Sequence, residues 1–406
     1  MSEVALGAAG NAGILYYVFV LVGMGFTVGT QIIIGRRNGE KKYGKIGTLV
    51  NHTAVFILLY AALVFLFLKF SISHFLPAIV ESNNIADSIS IYLKERSWGV
   101  FFTLGNLVFV SFFVGITKTK ILGIITPIVA ILNVFLDYSL IYGHYGFPRL
   151  EIEGAAFASN ISEGIGFAAM FIYALTYKDK ARFNLFVYAK IQFKVIQKIF
   201  VTAGPIMLQN FVTLGSWFVF FVLIESLGER ELAISHIVRN IYMIAMIPIF
   251  GFGDATSTMV SNLMGEGGQK KIKSLVKKIM ILGMISNAIV YPFLMFIPEK
   301  ILYWYTNNDV LMMQAIPIVK LIAHTTFIFT AGVVFFRAIV GIGRTVASLY
   351  IELGSIFSYL LYVYMVTKIY PSSLVTVWSS EFIYFGFLTI ISLLYLRLAD
   401  WHDTNI

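Results

Sequence analysis

Eleven apolar runs, each about 20 residues or longer, dictate what this chain of 406 residues can fold into. Lipid satisfies no backbone polar group, so a membrane-crossing segment must be a helix or part of a closed barrel. The runs here are continuous and lack the alternation of about ten residues that marks a barrel, which leaves helices. Composition agrees, with 58% hydrophobic and 13% charged residues, against about 45–50% and 25% in ordinary soluble domains. No soluble core hides that much apolar surface. The absence of cysteine removes disulfide frameworks, thiolate metal sites and thiol catalysis.

The expected spans are Ala8 to Ile34, Ile46 to Leu68, Trp98 to Ile116, Ile121 to Tyr142, Ala155 to Tyr177, Phe200 to Leu227, Leu232 to Met264, Val276 to Ile297, Leu311 to Val340, Val346 to Thr367 and Leu374 to Leu396. The polar stretch HFLPAIVESNNIADSIS, between the second and third spans, reads as an interfacial amphipathic segment. Basic residues alternate from loop to loop. One side carries 20 of the 30 Lys and Arg, from Arg36 and Arg37 through Lys270 to Arg397, and the other side carries seven, Arg96 among them. The net charge of +9 is therefore topological, a cytoplasmic face beside anionic lipid rather than a nucleic-acid site. This places the C-terminus in the cytoplasm and, with eleven spans, the N-terminus outside.

An internal repeat organises the spans. Gly25, Phe26, Thr30, Gly39 and Glu40 recur at an offset of 226 as Gly251, Phe252, Thr256, Gly265 and Glu266; VGITKT at Val114 is answered by VGIGRT at Val340. Two parallel halves follow, an architecture of transporters with the substrate path between the halves. They are residues 1–177 with five spans, a basic cytoplasmic linker over 178–199, and residues 200–406 with six. Glu229 answers Glu3, yet the span before Glu229 has no counterpart. The sequence thus predicts an all-α fold of two pseudo-symmetric bundles with eleven of twelve helices present, the first lying upstream.

Four stretches carry a resemblance to a known family: GFTVGTQIIIGRRNGE, GFGDATSTMVSNLMGEG, ILNVFLDYSLIYGHYGFPRLEIEGAAFAS and AGPIMLQNF. Their order and spacing resemble the multidrug and toxic compound extrusion (MATE) family of secondary transporters, in its archaeal and DinF-like branch. The resemblance implies two six-helix bundles forming a V.

Ionisable groups inside spans mark function, because a charge at the bilayer centre costs roughly 2.5–3.5 kcal/mol even on insertion scales. Asp137 follows Asn133 by four residues and Thr126 by eleven, so the three share one helical face. Such a carboxyl exchanges a proton or Na⁺ as its surroundings change; its alternative is an end-of-span position, paired with a loop group. The resemblance makes Asn133 and Asp137 part of an amino-lobe cation site and puts Ser159 in the position of its hydroxyl ligand. The family's partner Asp would lie on the upstream helix. The family's other branch uses an acid early in the seventh helix, where this sequence has Thr213, eight residues after Pro205, which favours the amino-lobe site.

Glu163 could line the first lobe. In the second half Arg239, Lys320, His324, Glu352 and Glu381 form a candidate polar cluster, either neutralising pairs or contacts to substrate and ion. Tyr16, Met24, Met207, Phe211 and Trp217 suit adaptable apolar walls, or simple packing.

The leading expectation is an H⁺- or Na⁺-coupled exporter of organic, often cationic amphiphilic compounds, working by alternating access. It would be a monomer in the cell inner (plasma) membrane, with membrane lipids around it, no nucleic-acid partner, no cofactor and no metal beyond Na⁺ at Asp137. Alternatives are a flippase for lipid-linked saccharides, for which Arg239 and Lys320 are few, and an inactive truncated chain. HExxH, GxSxG and P-loop motifs are all missing, which counts against an intramembrane enzyme or a nucleotide-driven pump.

Overall fold

The computed structural model describes residues 3–78, 80, 82–187, 190–401 and 404, and among them it is helical with no strand. The apolar runs become helices α1 (Glu3–Gly39), α2 (Gly44–Leu66), α3 (Asn83–Arg96), α4 (Gly99–Gly115), α5 (Lys120–Tyr142), α6 (Glu151–Thr176), α7 (Phe193–Glu225), α8 (Glu229–Gly265), α9 (Gln269–Phe296), α10 (Asp309–Ile342), α11 (Thr345–Tyr364) and α12 (Ser380–Leu398), joined by turns, by short helical segments such as Phe67–Ser71 and Pro298–Leu302, and by a longer stretch between α6 and α7. Among the described residues ten helical stretches are long and apolar enough to cross a membrane, or eleven when α3 and α4, bent by 52°, count as one span. The chain is a multi-pass, all-α membrane protein.

The repeat is visible in the helix ends. Helices α1 and α8 have 37 residues each, and both ends lie 226 positions apart. The same offset takes Asn83, where α3 begins, to Asp309, where α10 begins. Thus α3 and α4 together correspond to the single helix α10. This corrects the expected interfacial segment: apart from residues 79 and 81, which lie outside the described residues, its second half is the start of a broken span. Helix α3 packs against α1 and α6, burying Ala86, Ile89, Ser90, Leu93 and Arg96. Arg96 is accordingly no outer-loop charge but a side chain inside the bundle.

The chain divides into two units, Met1–Met207 and Leu208–Ile406, with the division inside α7. In the first unit α1 is central and packs on α2, α3, α4 and α6, while α5 packs on α6. In the second, α10 is central and packs on α8, α9 and α12, with α11 on α12. The stretch after α6 is docked on the first unit rather than free. Phe183 is buried with its ring 5.6 Å from Tyr43 and 5.5 Å from Phe112, and Gly47 donates its N–H to the Phe183 carbonyl at 2.8 Å. Tyr188 and Ala189 of the expected linker lie outside the described residues.

Gly25 and Gly29 let the first part of α7 reach α1. A Cβ on Gly29 would stand 2.5 Å from the Ala203 Cβ, and one on Gly25 would stand 2.8 Å from the Met207 Cα. Small residues four apart allow this backbone approach, and packing has to drive it because lipid supplies no hydrophobic force between helices. Gly29→Val is expected to destabilise the first unit by about 1–3 kcal/mol through overpacking. Thermal unfolding in detergent checks this; an unchanged midpoint would show that α1 and α7 do not need the contact.

Beyond the end of α1, Glu40 accepts from Arg37 Nη1 at both oxygens (2.7 and 2.6 Å) and lies 2.9 Å from Lys42 Nζ. Burial works against its charge, but the hydrogen bonds from Lys42 and Arg37 outweigh it and hold the carboxyl below its ordinary range. A depressed folded value stabilises above the unfolded one and is lost as pH falls through the folded one. The stability difference between the wild type and Glu40→Gln, about 1 kcal/mol or less at such a partly exposed site, should therefore shrink between about pH 5 and pH 3. Melting curves across that range test it, and a difference that grew on acidification would refute it.

Candidate functional site

Helices α5 and α6 of the first unit are locked by Leu136, Leu140 and Ala158, with Leu132 and Leu150 against them. Gly154 permits the approach, since a Cβ there would lie 2.6 Å from the Leu140 carbonyl oxygen. This packing holds Asp137 and Asn133 on α5 beside α6. Both are half-buried. The Asn133 Nδ2 is buried without a hydrogen-bond partner, and among the described residues no hydrogen bond reaches the Asp137 carboxyl or joins it to Ser159, which is half-buried on α6. Thr126 is exposed. An orphaned buried donor costs on the order of 1–3 kcal/mol, so this face is chemically unfinished.

The repeat shows what finishes such a face elsewhere. Ser348, Glu352 and Tyr359 on α11 stand 226 positions beyond Leu122, Thr126 and Asn133. There the second part of α7 covers them, with Gln209 Nε2 donating to Ser348 Oγ (2.8 Å), Thr213 Oγ1 to Glu352 Oε1 (3.0 Å), and Phe220 lying 5.6 Å from Tyr359. The apolar window of α5 is only 6% buried, against 39% for the span of α11.

The same unit holds a network that the sequence reading did not assemble. Arg96 is 5% exposed; its Nη1 donates to Asn160 Oδ1 (2.8 Å) and its Nη2 to Glu163 Oε1 (2.5 Å), while its Cζ sits 4.2 Å from the Tyr16 ring centroid. Thr103 donates to the other Glu163 oxygen, and its hydroxyl lies 3.0 Å from that of Tyr16. The Asn160 amide donates to the Glu95 carbonyl at 2.7 Å. Tyr92, on α3, lies within electrostatic reach of both Arg96 and Asp137. Gly99 makes the bend between α3 and α4 possible, because the guanidinium and the Asn160 oxygen fill the space of its missing Cβ.

In the second unit the five candidate residues do not come together. Glu352 and Glu381 are buried and accept hydrogen bonds from hydroxyls: Glu352 Oε1 from Tyr384 (2.6 Å) and Thr213, and Glu381 Oε2 from Tyr242 (2.6 Å); Arg337 is within electrostatic reach of Glu352. Arg239 is instead drawn to the Phe221 ring, 5.3 Å from its centroid. Lys320 is half-buried and His324 is exposed, the latter 3.4 Å from the Tyr291 hydroxyl. These two lie one turn apart on the continuous helix α10, away from both acids. Among the described residues no cluster of three or more His, Cys, Asp or Glu could hold a metal ion.

The MatE family model matches residues 1–139 and 205–366. The chain is a member of the MATE family. Its relatives include the probable multidrug resistance protein NorM of Thermotoga maritima, 22% identical over 401 residues, covering 98% of this chain and 85% of that protein. The Vibrio cholerae multidrug resistance protein NorM is 22% identical over 316 residues, covering 78% and 69%. The fold matches a MOP-superfamily transporter from Pyrococcus furiosus Vc1 (TM-score 0.89, 18% identity, 98% of this chain and 88% of that one) and a eukaryotic MATE transporter, AtDTX14 (0.85, 17%, 99% and 89%). MATE proteins are secondary transporters, not enzymes.

Within this MATE chain the residue that sequence reading missed is Arg96, together with Tyr16, Thr103 and Asn160. One signal was available: carrying the 226-residue register on to Asn83 and Asp309 would have placed α3 inside a span, and Arg96 with it.

Proposed function

We propose that this chain is an H⁺- or Na⁺-coupled antiporter exporting organic, often cationic amphiphilic compounds across the cell inner membrane. Its C-terminus would be cytoplasmic, and alternating access would run through movement of one half against the other. The observation that carries this reading is the half-buried Asp137 carboxyl inside a span, without a hydrogen bond among the described residues and next to the orphaned Asn133 amide. An acid so placed is fit to hold a proton or Na⁺ in one state and release it in another. Inward movement of one net charge releases about 2.3 kcal/mol per 100 mV, which helps to export a neutral compound, whereas one-for-one exchange with a monovalent organic cation draws on the ion's concentration gradient alone. NorM relatives, described as multidrug resistance proteins, support the substrate class. A saccharide-lipid flippase gains no support, since Arg239 and Lys320 form no basic cluster.

The test is ethidium efflux from proteoliposomes under separately imposed pH and Na⁺ gradients. Efflux driven by one gradient supports the reading and names the ion; efflux indifferent to both would overturn coupling.

A further inference from the structure

The second unit carries a charge pair inside its spans at positions where the first unit has no charge. Arg337 Nη2 lies 3.4 Å from Asp254 Oδ1, and the carboxylate side chain is 55% exposed against 21% for the guanidinium. Close packing at Gly253 fixes the arginine: a Cβ there would meet Val333 at 2.6 Å and the Arg337 Cγ at 3.1 Å, so the stem lies across α8. At the offset of 226 the counterparts of Asp254 and Arg337 are Val28 and Ser111. Val28 stands between Gly25 and Gly29, the seat that α7 occupies, and Ser111 donates only to the Val108 carbonyl of its own helix. The first bundle therefore packs without such a pair.

The same face of α8 carries Met243, Ile247, Phe250 and Gly251, all exposed, at intervals of three and four residues that end on Asp254. A carboxylate exposed within a span faces water or a charged partner rather than acyl chains. Where unit one closes a helix over an apolar seat, unit two offers a negative charge at the end of a soft apolar stripe. The accessible charge is the carboxylate, because the arginine is mostly sheltered and its contact with Asp254 is long. From this, and resting on the export reading above, we infer that Asp254 is a substrate-binding residue: it receives the positive group of an organic cation whose apolar body lies along Phe250, Ile247 and Met243, with Arg337 as the resident counter-ion that the ligand displaces.

The inference requires opposite effects from the two members of the pair. Ethidium binding to the purified chain in detergent, read by fluorescence, should weaken about tenfold in Asp254→Asn, the loss expected for one charge contact. In Arg337→Gln, which frees the carboxylate, it should tighten. A neutral amphiphile and a sulfonated anionic dye should bind Asp254→Asn as they bind the wild type, with thermal unfolding confirming that each variant is folded. A pair that only stitches α8 to α10 predicts lower melting points in both variants and unchanged ethidium affinity in both; that result, or a shift of the same sign in the two, overturns the assignment while leaving the export reading in place. A wild type that binds no ethidium overturns both.

Discussion

Asp137→Asn is expected to reduce gradient-driven ethidium efflux to the leak of protein-free vesicles while leaving the protein folded. The substitution keeps shape and hydrogen-bonding capacity but removes the group that takes up and gives back a positive charge. It costs little structurally, because among the described residues no hydrogen bond to Asp137 is lost; a stability change below about 1 kcal/mol is expected, as for substitutions away from buried networks. Binding and transport should separate. Ethidium should still bind the variant, and downhill ethidium exchange should persist, because only the coupling is removed. Full gradient-driven efflux in the variant would dismiss Asp137 as the coupling group.

The second large effect concerns the Arg96 guanidinium in the same unit. Arg96→Met leaves the half-buried Glu163 without its cation, with the Asn160 oxygen unpaired, and is expected to destabilise the protein by about 3 kcal/mol, the low end of the loss from breaking a buried ion pair from one side. Glu163→Gln keeps one acceptor oxygen where Arg96 and Thr103 now donate to two, turns the other into a donor and strands the buried positive charge, and should cost a similar amount. Arg96→Met with Glu163→Gln removes both charges together. Because replacing a whole buried pair is often near neutral, the double variant should recover most of the loss. Thermal unfolding of the four proteins closes the cycle. Additive losses would mean that the two side chains act independently, contrary to the 2.5 Å contact between them.

Much of the fold was legible because bilayer physics leaves few options. Runs of apolar residues become helices, and matched glycines such as Gly25 and Gly251 expose the repeat. The two glycines nonetheless do different work. A Cβ on Gly25 would strike Met207, whereas one on Gly251 would meet nothing within 4 Å, and no local pattern tells these apart. Asp137 and Asn133 stood out because charge and amide in a span are costly enough to be noticed. Arg96 did not, since it ends the polar run Lys94, Glu95, Arg96 that any hydropathy window rejects as a span. It becomes tolerable only through Asn160 and Glu163, more than sixty positions away. Likewise Glu352 and Glu381 were visible as buried acids, but their tyrosine partners were not, because tyrosine is common in spans and Tyr242 and Tyr384 meet the acids only through tertiary packing.

Ion release measured on the purified protein reaches the central claim without vesicles or gradients. With Asp137 as the ion carrier, adding saturating ethidium to the wild type should displace the coupling ion, seen as proton release in weakly buffered solution or as loss of bound radioactive sodium, and the same addition to Asp137→Asn should displace none. Equal ion release from the two proteins would contradict the account.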